Sequence, residues 1–182
     1  PGKRAATIGG GPAGIAAAYF LARGGVETTI FEREAKLGGV PRYVIPAFRI
    51  SDEALDKDVA LMERLGVEVK CGAPAPSVDE LKKMGYTHIL MATGAWQAGE
   101  LGIPGNVKGV IGWMKEMKQP VKPCLEGHVV VVGAGNTAMD AARVAKRMGA
   151  ASSTIVYRRT KKEMPADEHE LKLAIDEGVK LV

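Results

Sequence analysis

Short apolar runs alternate with longer amphipathic stretches along this 182-residue chain. Ala5 to Ile8 is apolar and ends in Gly9-Gly10-Gly11, which predicts a strand and a tight turn. Ala16 to Ala22 carries helix-forming residues, and Gly24-Gly25 stops it. Thr28 to Phe31 is β-branched and aromatic, a strand signal, and Glu32 follows directly. Strand, helix and strand within about 30 residues imply parallel pairing and a right-handed crossover. Lys36 to Ile50, with Gly38-Gly39, Pro41 and Pro46, shows no period and is expected to be an irregular loop. A loop of that length usually carries function or is disordered. Ser51 is the expected N-cap of a helix in which Leu55, Val59, Met62 and Leu65 recur at helical spacing up to Gly66. Val67 to Lys70 alternates as a strand. Ser77 and Glu80 have capping-box spacing for a short helix ending near Gly85. His88 to Met91 is a further strand, closing on Ala92-Thr93-Gly94.

The second half repeats the pattern. Ala95 to Gly127 is rich in Gly and Pro and reads as a linker with one short helix near Ile111 to Lys118. Val129 to Val132 is continuously apolar, as expected of a parallel strand covered on both faces. Thr137 to Met148 predicts a helix with Ala138, Ala141, Ala142 and Ala145 on its packing side, ended by Gly149. Thr154 to Tyr157 is a strand. A polar loop and a helix from about Ala166 to Glu177 follow, and Lys180 to Val182 opens a further strand.

Both first turns have dinucleotide-binding chemistry. In Gly9-Gly10-Gly11-Pro12-Ala13-Gly14, Gly9 allows the tight turn out of the strand. Gly11 lets a pyrophosphate approach the backbone, and Gly14 lets helix and strand pack closely. The free N–H groups and the positive helix end face the phosphates. Glu32 lies about 20 residues further on, where a carboxylate accepts ribose hydroxyls and repels a 2′-phosphate. The alternative is a glycine-rich turn with a surface acid. In Gly133-Ala134-Gly135-Asn136-Thr137-Ala138 alanine replaces the third glycine, a permitted variant. After the next strand stands Tyr157-Arg158-Arg159 instead of an acid. Two forked guanidinium groups suit a phosphate, so this site is expected to prefer NADP over NAD. The alternative is a solvated basic turn made with Lys161 and Lys162. Two different nucleotides with a hydride to pass between them explain two loops: FAD in the first, NADPH in the second.

The expected fold class is therefore α/β, with two Rossmann-like dinucleotide-binding units: an FAD-binding part over 1–98, a linker over 99–126 and an NADPH-binding part over 127–182. Both units read as incomplete. A start at Pro1 rather than Met reads as a processed chain or an excised piece.

Composition narrows the chemistry. The chain is 46% hydrophobic, 25% charged and 5% aromatic, with a net charge of +4. Scattered charges and few aromatics argue against a nucleic-acid partner. No apolar run approaches the roughly 18 residues that span a bilayer, and no signal peptide is visible. Cys71 and Cys124 form no C-x-x-C and no zinc spacing, which fits reduced thiols and a cytoplasmic setting, although a disulfide stays open. His88, His128 and His169 lie in different elements without ligand spacing, so no metal is expected. His169, among Asp167, Glu168 and Glu170, reads as part of a solvated helix face. No catalytic triad is apparent, and hydride transfer between stacked rings needs none.

The run GGGPAGIAAAYFLARGG, then TIFERE, LGGVPRYVIPAFRIS, ATGA, VVVVGAGNTAMDAARVAKRMGA, YRRT and MPADEHEL resembles flavin oxidoreductases of the glutamate synthase small-chain type. The NADPH-to-FAD module of dihydropyrimidine dehydrogenase and bacterial proteins named as selenate reductases are similar. The likeness covers nearly the whole chain. It implies an FAD domain interrupted by an NADPH domain. Gly9, Gly11, Pro12, Ala13, Gly14, Glu32 and Arg33 would serve the FAD pyrophosphate and ribose. Gly38, Gly39 and Arg49 match the loop near the flavin, though Gly38-Gly39 also reads as a plain turn and Arg49 as a loop anchor. Ala92, Thr93 and Gly94 match the exit from the FAD domain. Gly133, Gly135, Asn136 and Thr137 match the NADPH pyrophosphate site, and Arg158 and Arg159 the 2′-phosphate site. The family's later Gly-Asp and its iron–sulfur cysteines do not occur within residues 1–182, so the resemblance implies part of an enzyme. Its electrons would pass from NADPH to FAD and on to iron–sulfur centres or a partner subunit. The alternatives are an FAD/NAD(P)H disulfide reductase or monooxygenase, and a non-catalytic nucleotide-binding fragment.

Overall fold

The computed structural model describes residues 2–97, 99, 101–105, 107–120 and 123–182. The chain divides into two units, 1–95 and 96–182. In the first, strands β1 (Arg4–Ile8), β2 (Glu27–Glu32), β3 (Glu68–Cys71) and β4 (His88–Met91) form one parallel sheet in the order β3-β2-β1-β4. The helices are α1 (Pro12–Arg23), α2 (Gly39–Tyr43), α3 (Asp52–Glu63) and α4 (Val78–Lys83).

Strand order decides which face each helix covers. Right-handed crossovers from β1 to β2 to β3 run one way, so α1 and α3 share a face. There Ala18, Ile30, Leu37, Met62 and Val67 form one core. The return from β3 to β4 runs the other way and places α4 opposite. Ala6, Phe31, Leu81 and Tyr86 pack there, with Phe31 and Tyr86 edge to face. Ile30, Met62 and Leu81 are fully buried. Burial of each such side chain contributes about 2 kcal/mol, more than any local propensity. Local signals still set the ends. Ser51 accepts the Ala54 N–H, and Ser77 with Glu80 forms the expected capping box.

The second unit has α5 (Val110–Met117), then β5 (His128–Val132), α6 (Asn136–Arg147), β6 (Ser152–Val156), a 3₁₀ turn at Lys161–Glu163, α7 (Glu168–Asp176) and β7 (Lys180–Leu181). The parallel order is β5-β6-β7. Ala138, Met139, Ala142, Ile155, Leu171, Ala174 and Val179 form its core. Residues 99–126 fall within this unit, where α5 packs against α6 with Met114 and Met117 buried.

Two expectations need correction. Residues 36–50 are not wholly irregular, because α2 forms within them. The strand over 129–132 is not covered on both faces: Val130 is 60% and Val132 48% exposed. Both crossovers in β5-β6-β7 run in one direction, so α6 and α7 cover the same face, and among the described residues the other is left open.

Candidate functional site

The carboxyl ends of β1, β2 and β4 meet at the point where strand order reverses, the usual crevice for a ligand in such a sheet. Gly9 leaves β1 with φ +105°, and its N–H donates to Phe31 O at 2.9 Å. A Cβ at Gly9 would lie 2.3 Å from Ala92 O, and one at Gly14 would lie 1.9 Å from Gly9 O. Neither position admits a side chain. Gly11 caps α1 and Pro12 follows as its first residue, preset for a helix start. Pro12 and Ala13 are exposed, and a Cβ at Gly11 would meet nothing closer than Gly39 Cα at 3.8 Å. The first turn of α1 holds no acid, so its positive end is open to an anion.

Glu32 is buried at the end of β2. One oxygen accepts the Gly10 N–H at 2.6 Å and the other the Glu34 N–H at 2.8 Å. Each oxygen keeps a further lone pair, so a ribose hydroxyl can still donate to it. The Gly38 N–H donates to Gly10 O at 2.7 Å, and a Cβ at Gly39 (φ +57°) would lie 2.7 Å from Gly11 Cα. The fold thus brings together Gly9, Gly11, Gly14, Glu32, Gly38, Gly39 and the Ala92–Thr93 turn. Gly94 continues that turn with φ +70°. Arg33 is exposed, 3.7 Å from Glu34. Arg49 is exposed, and its N–H donates to Pro46 O at 2.9 Å.

Arg42 escapes a reading of the sequence. It is 5% exposed. Its guanidinium donates to Leu37 O and pairs with Asp56 and Asp52 of α3, the latter at 3.6 Å. It therefore ties the segment after Glu32 to a helix. A lone cation inside the apolar run Val40 to Ile45 is the available hint. Tyr43 closes the same segment: its hydroxyl accepts the Lys36 N–H at 2.9 Å, and burial pushes the phenol pKa up.

The second cradle repeats the first. Gly133 has φ +125° and donates its N–H to Val156 O at 3.0 Å. Cβ atoms at Gly133 and Gly135 would meet nothing within 4 Å, so the space before the helix is open. Asn136 and Thr137 are exposed in the first turn of α6, which again lacks an acid. Ala138 is buried where the first unit needs Gly14. Beyond β6, Arg158 and Arg159 are exposed, and neither has a hydrogen bond or ion pair among the described residues. The following loop returns to the cradle. The Ala166 N–H donates to Ala134 O at 3.0 Å, and the Asp167 N–H to Asn136 Oδ1 at 3.0 Å.

The histidines make local hydrogen bonds. His128 Nδ1 lies 2.7 Å from Ser152 Oγ, His88 Nδ1 lies 3.0 Å from Thr87 Oγ1, and the His169 N–H is capped by Asp167. Among the described residues no cluster of His, Cys, Asp and Glu could hold a metal ion. No helix there is long and apolar enough to cross a membrane. Cys71 and Cys124 are free thiols. Burial, with the charges of Glu32 and Glu63, raises the Cys71 pKa, which disfavours a nucleophilic thiolate.

Several known proteins are similar to this chain along nearly its whole length. Escherichia coli (strain K12) YgfK is 44% identical over 179 residues, covering 96% of this chain and 17% of that protein. The NADPH-Fe(3+) oxidoreductase subunit beta of Geobacter sulfurreducens is 38% identical over 98% of this chain and 28% of its own length. The glutamate synthase [NADPH] small chain of Escherichia coli is 31% identical over 98% of this chain and 41% of its own. The chain therefore spans less than half of each of these relatives. Thioredoxin reductase of Lactococcus lactis superposes with a TM-score of 0.69 at 25% identity, over 99% of this chain and 64% of that one. The family model for pyridine nucleotide-disulphide oxidoreductases matches residues 3–182. With an FAD- and NAD(P)-type α/β fold and both glycine cradles in place, this chain belongs to the pyridine nucleotide-disulphide oxidoreductase family.

Proposed function

We propose that residues 1–95 hold FAD and residues 96–182 hold NADPH, within a larger flavin oxidoreductase. One observation carries this reading: the second strand of one unit ends in buried Glu32, that of the other in exposed Arg158 and Arg159. A carboxylate serves a ribose with free hydroxyls, and guanidinium groups serve a 2′-phosphate. Both cradles fit a diphosphate. Gly11, Gly133 and Gly135 leave room where phosphate oxygens would approach, and both helix N-termini are free of acids.

When bound, the nicotinamide supplies a hydride and the flavin accepts it. The task of this chain is to bind and orient. Glu32 fixes the ribose end at the first cradle, and Gly11, Pro12, Ala13 and Gly14 present the helix end to the diphosphate. Gly133, Gly135, Asn136 and Thr137 do the same at the second. No protein acid or base is required for the transfer. The names of the Geobacter sulfurreducens beta subunit and the glutamate synthase small chain support onward delivery to a partner, which we assign as iron–sulfur centres or another subunit in the cytoplasm. Disulfide reduction by this chain is disfavoured, because its two cysteines stand at positions 71 and 124 with no C-x-x-C.

Equilibrium titration with NADPH and NADH tests the reading. Arg158→Ala/Arg159→Ala is expected to weaken NADPH by about 10- to 100-fold, the worth of one or two charge-assisted hydrogen bonds, with little change for NADH. Equal losses for both nucleotides would remove the 2′-phosphate argument.

A further inference from the structure

Each unit must connect its phosphate cradle to the residues that meet the far end of the nucleotide, and the two units do so differently. In the first, Glu32 makes the connection itself by accepting the Gly10 N–H at 2.6 Å. Arginine has no acceptor and cannot do this. In the second unit backbone bonds hold the end of β6, with the Gly133 N–H on Val156 O and the Tyr157 N–H on Val182 O, and any side-chain tie to the cradle has to come from a residue other than Arg158 or Arg159. We propose that Asn136 is this positioning residue. By accepting the Asp167 N–H, it keeps the arginine turn in register with the second glycine cradle and so sets the preference for a 2′-phosphate. The proposal rests on the assignment of NADPH to this unit.

Three observations support it. First, the segment from Tyr157 to Asp167 is braced internally, so a tie at one end reaches the other. The Tyr157 hydroxyl donates to Glu163 O at 2.9 Å, and the Glu163 carboxylate accepts both the Thr160 N–H at 3.1 Å and the Thr160 hydroxyl at 3.2 Å across the 3₁₀ turn. Second, the segment touches the cradle at two adjacent points, Ala166 N–H to Ala134 O and Asp167 N–H to Asn136 Oδ1, both at 3.0 Å. The backbone tie has a counterpart in the first unit, where the Gly38 N–H donates to Gly10 O. The side-chain tie has none, because Pro12 stands where Asn136 does and offers no acceptor. Third, Arg158 and Arg159 have no acidic partner to orient them among the described residues. Their placement depends on the backbone beneath. A nucleotide that must satisfy both cradle and guanidinium groups loses affinity when the two drift apart, because ordering them then costs free energy on binding.

The test is a double-mutant cycle on the 182-residue chain, reading the ratio of NADPH to NADH affinity. Asn136 is exposed, so Asn136→Ala is a mild substitution for folding. It is expected to cut the ratio by about fivefold, the worth of one hydrogen bond. Asn136→Asp keeps an acceptor and is expected to keep the ratio, while its charge weakens both nucleotides alike. In the Arg158→Ala/Arg159→Ala background, Asn136→Ala is expected to leave the ratio unchanged. Amide hydrogen exchange across residues 157–167 is expected to quicken in Asn136→Ala. A loss shared equally by NADPH and NADH in Asn136→Ala, with the preference intact until the arginines are removed, would overturn the proposal and reduce Asn136 to a cradle residue. Unchanged exchange across the segment would overturn it too. If removing the arginines leaves the ratio untouched, the NADPH assignment itself fails, and this inference with it.

Discussion

Glu32 serves the protein as well as any nucleotide. Its two oxygens take the buried N–H of Gly10 and the part-buried N–H of Glu34, and removal leaves both donors without this acceptor. Glu32→Ala is expected to cost about 1–3 kcal/mol in denaturant unfolding before FAD is added, because the buried Gly10 donor is left without an acceptor, while the part-buried Glu34 N–H adds less. Glu32→Gln, whose amide oxygen can replace one acceptor, should cost less. Stability unchanged by Glu32→Ala would mean that the acid serves ligand alone. Glycine spacing was legible at this scale: Gly9 and Gly14 stand where a Cβ would strike backbone oxygen. The tie from Glu32 to Gly10 was not legible, since a hydrogen bond across 22 positions leaves no periodic trace. Arg42 was missed for the same reason, as its partners Asp52 and Asp56 lie on the next helix.

Between elements, a cluster of ion pairs joins α6 to Glu177, the C-cap of α7. Glu177 accepts from Arg147 and from Arg143, with contacts of 2.7 Å to each, and its pKa falls to about 2, chiefly through the Arg147 hydrogen bonds and then those of Arg143. A folded-state pKa below the unfolded value means that the stabilisation is complete above the unfolded value. It is lost as pH falls through the folded one. The second unit is therefore expected to weaken progressively from about pH 5 down to about pH 2. In Glu177→Gln that slope should shrink, alongside a loss of about 2 kcal/mol at neutral pH from the charge-assisted hydrogen bonds. Thermal unfolding across that pH range checks both, and identical slopes for the two proteins would exclude this ion pair as the cause. Periodicity placed most helices and strands well. It failed where contacts decide. The helix α2 begins at two positive-φ glycines and is fastened by Arg42, neither of which has a hydrophobic period. The valine strand β5 read as doubly covered because continuous apolarity does not reveal on which side the crossovers pass.

Across the whole chain, the duplication is the informative feature. Two parallel α/β units each open a glycine turn into a helix, and each returns a later loop to the middle residue of that turn. The fold class and the family were legible because both rest on short local motifs in a fixed order. The destination of the electrons was not, because nothing in residues 1–182 contains a metal-ligand spacing or a paired dithiol. The division of labour between the units is open to direct measurement by calorimetric titration of FAD and NADPH, alone and together, into the native chain, Gly11→Val and Arg158→Ala/Arg159→Ala. One molecule of each is expected to bind per chain without competition, with FAD affinity lost only in Gly11→Val and NADPH affinity weakened only in the arginine variant. Competition between the two nucleotides for one site, or loss of both in either variant, would contradict this division.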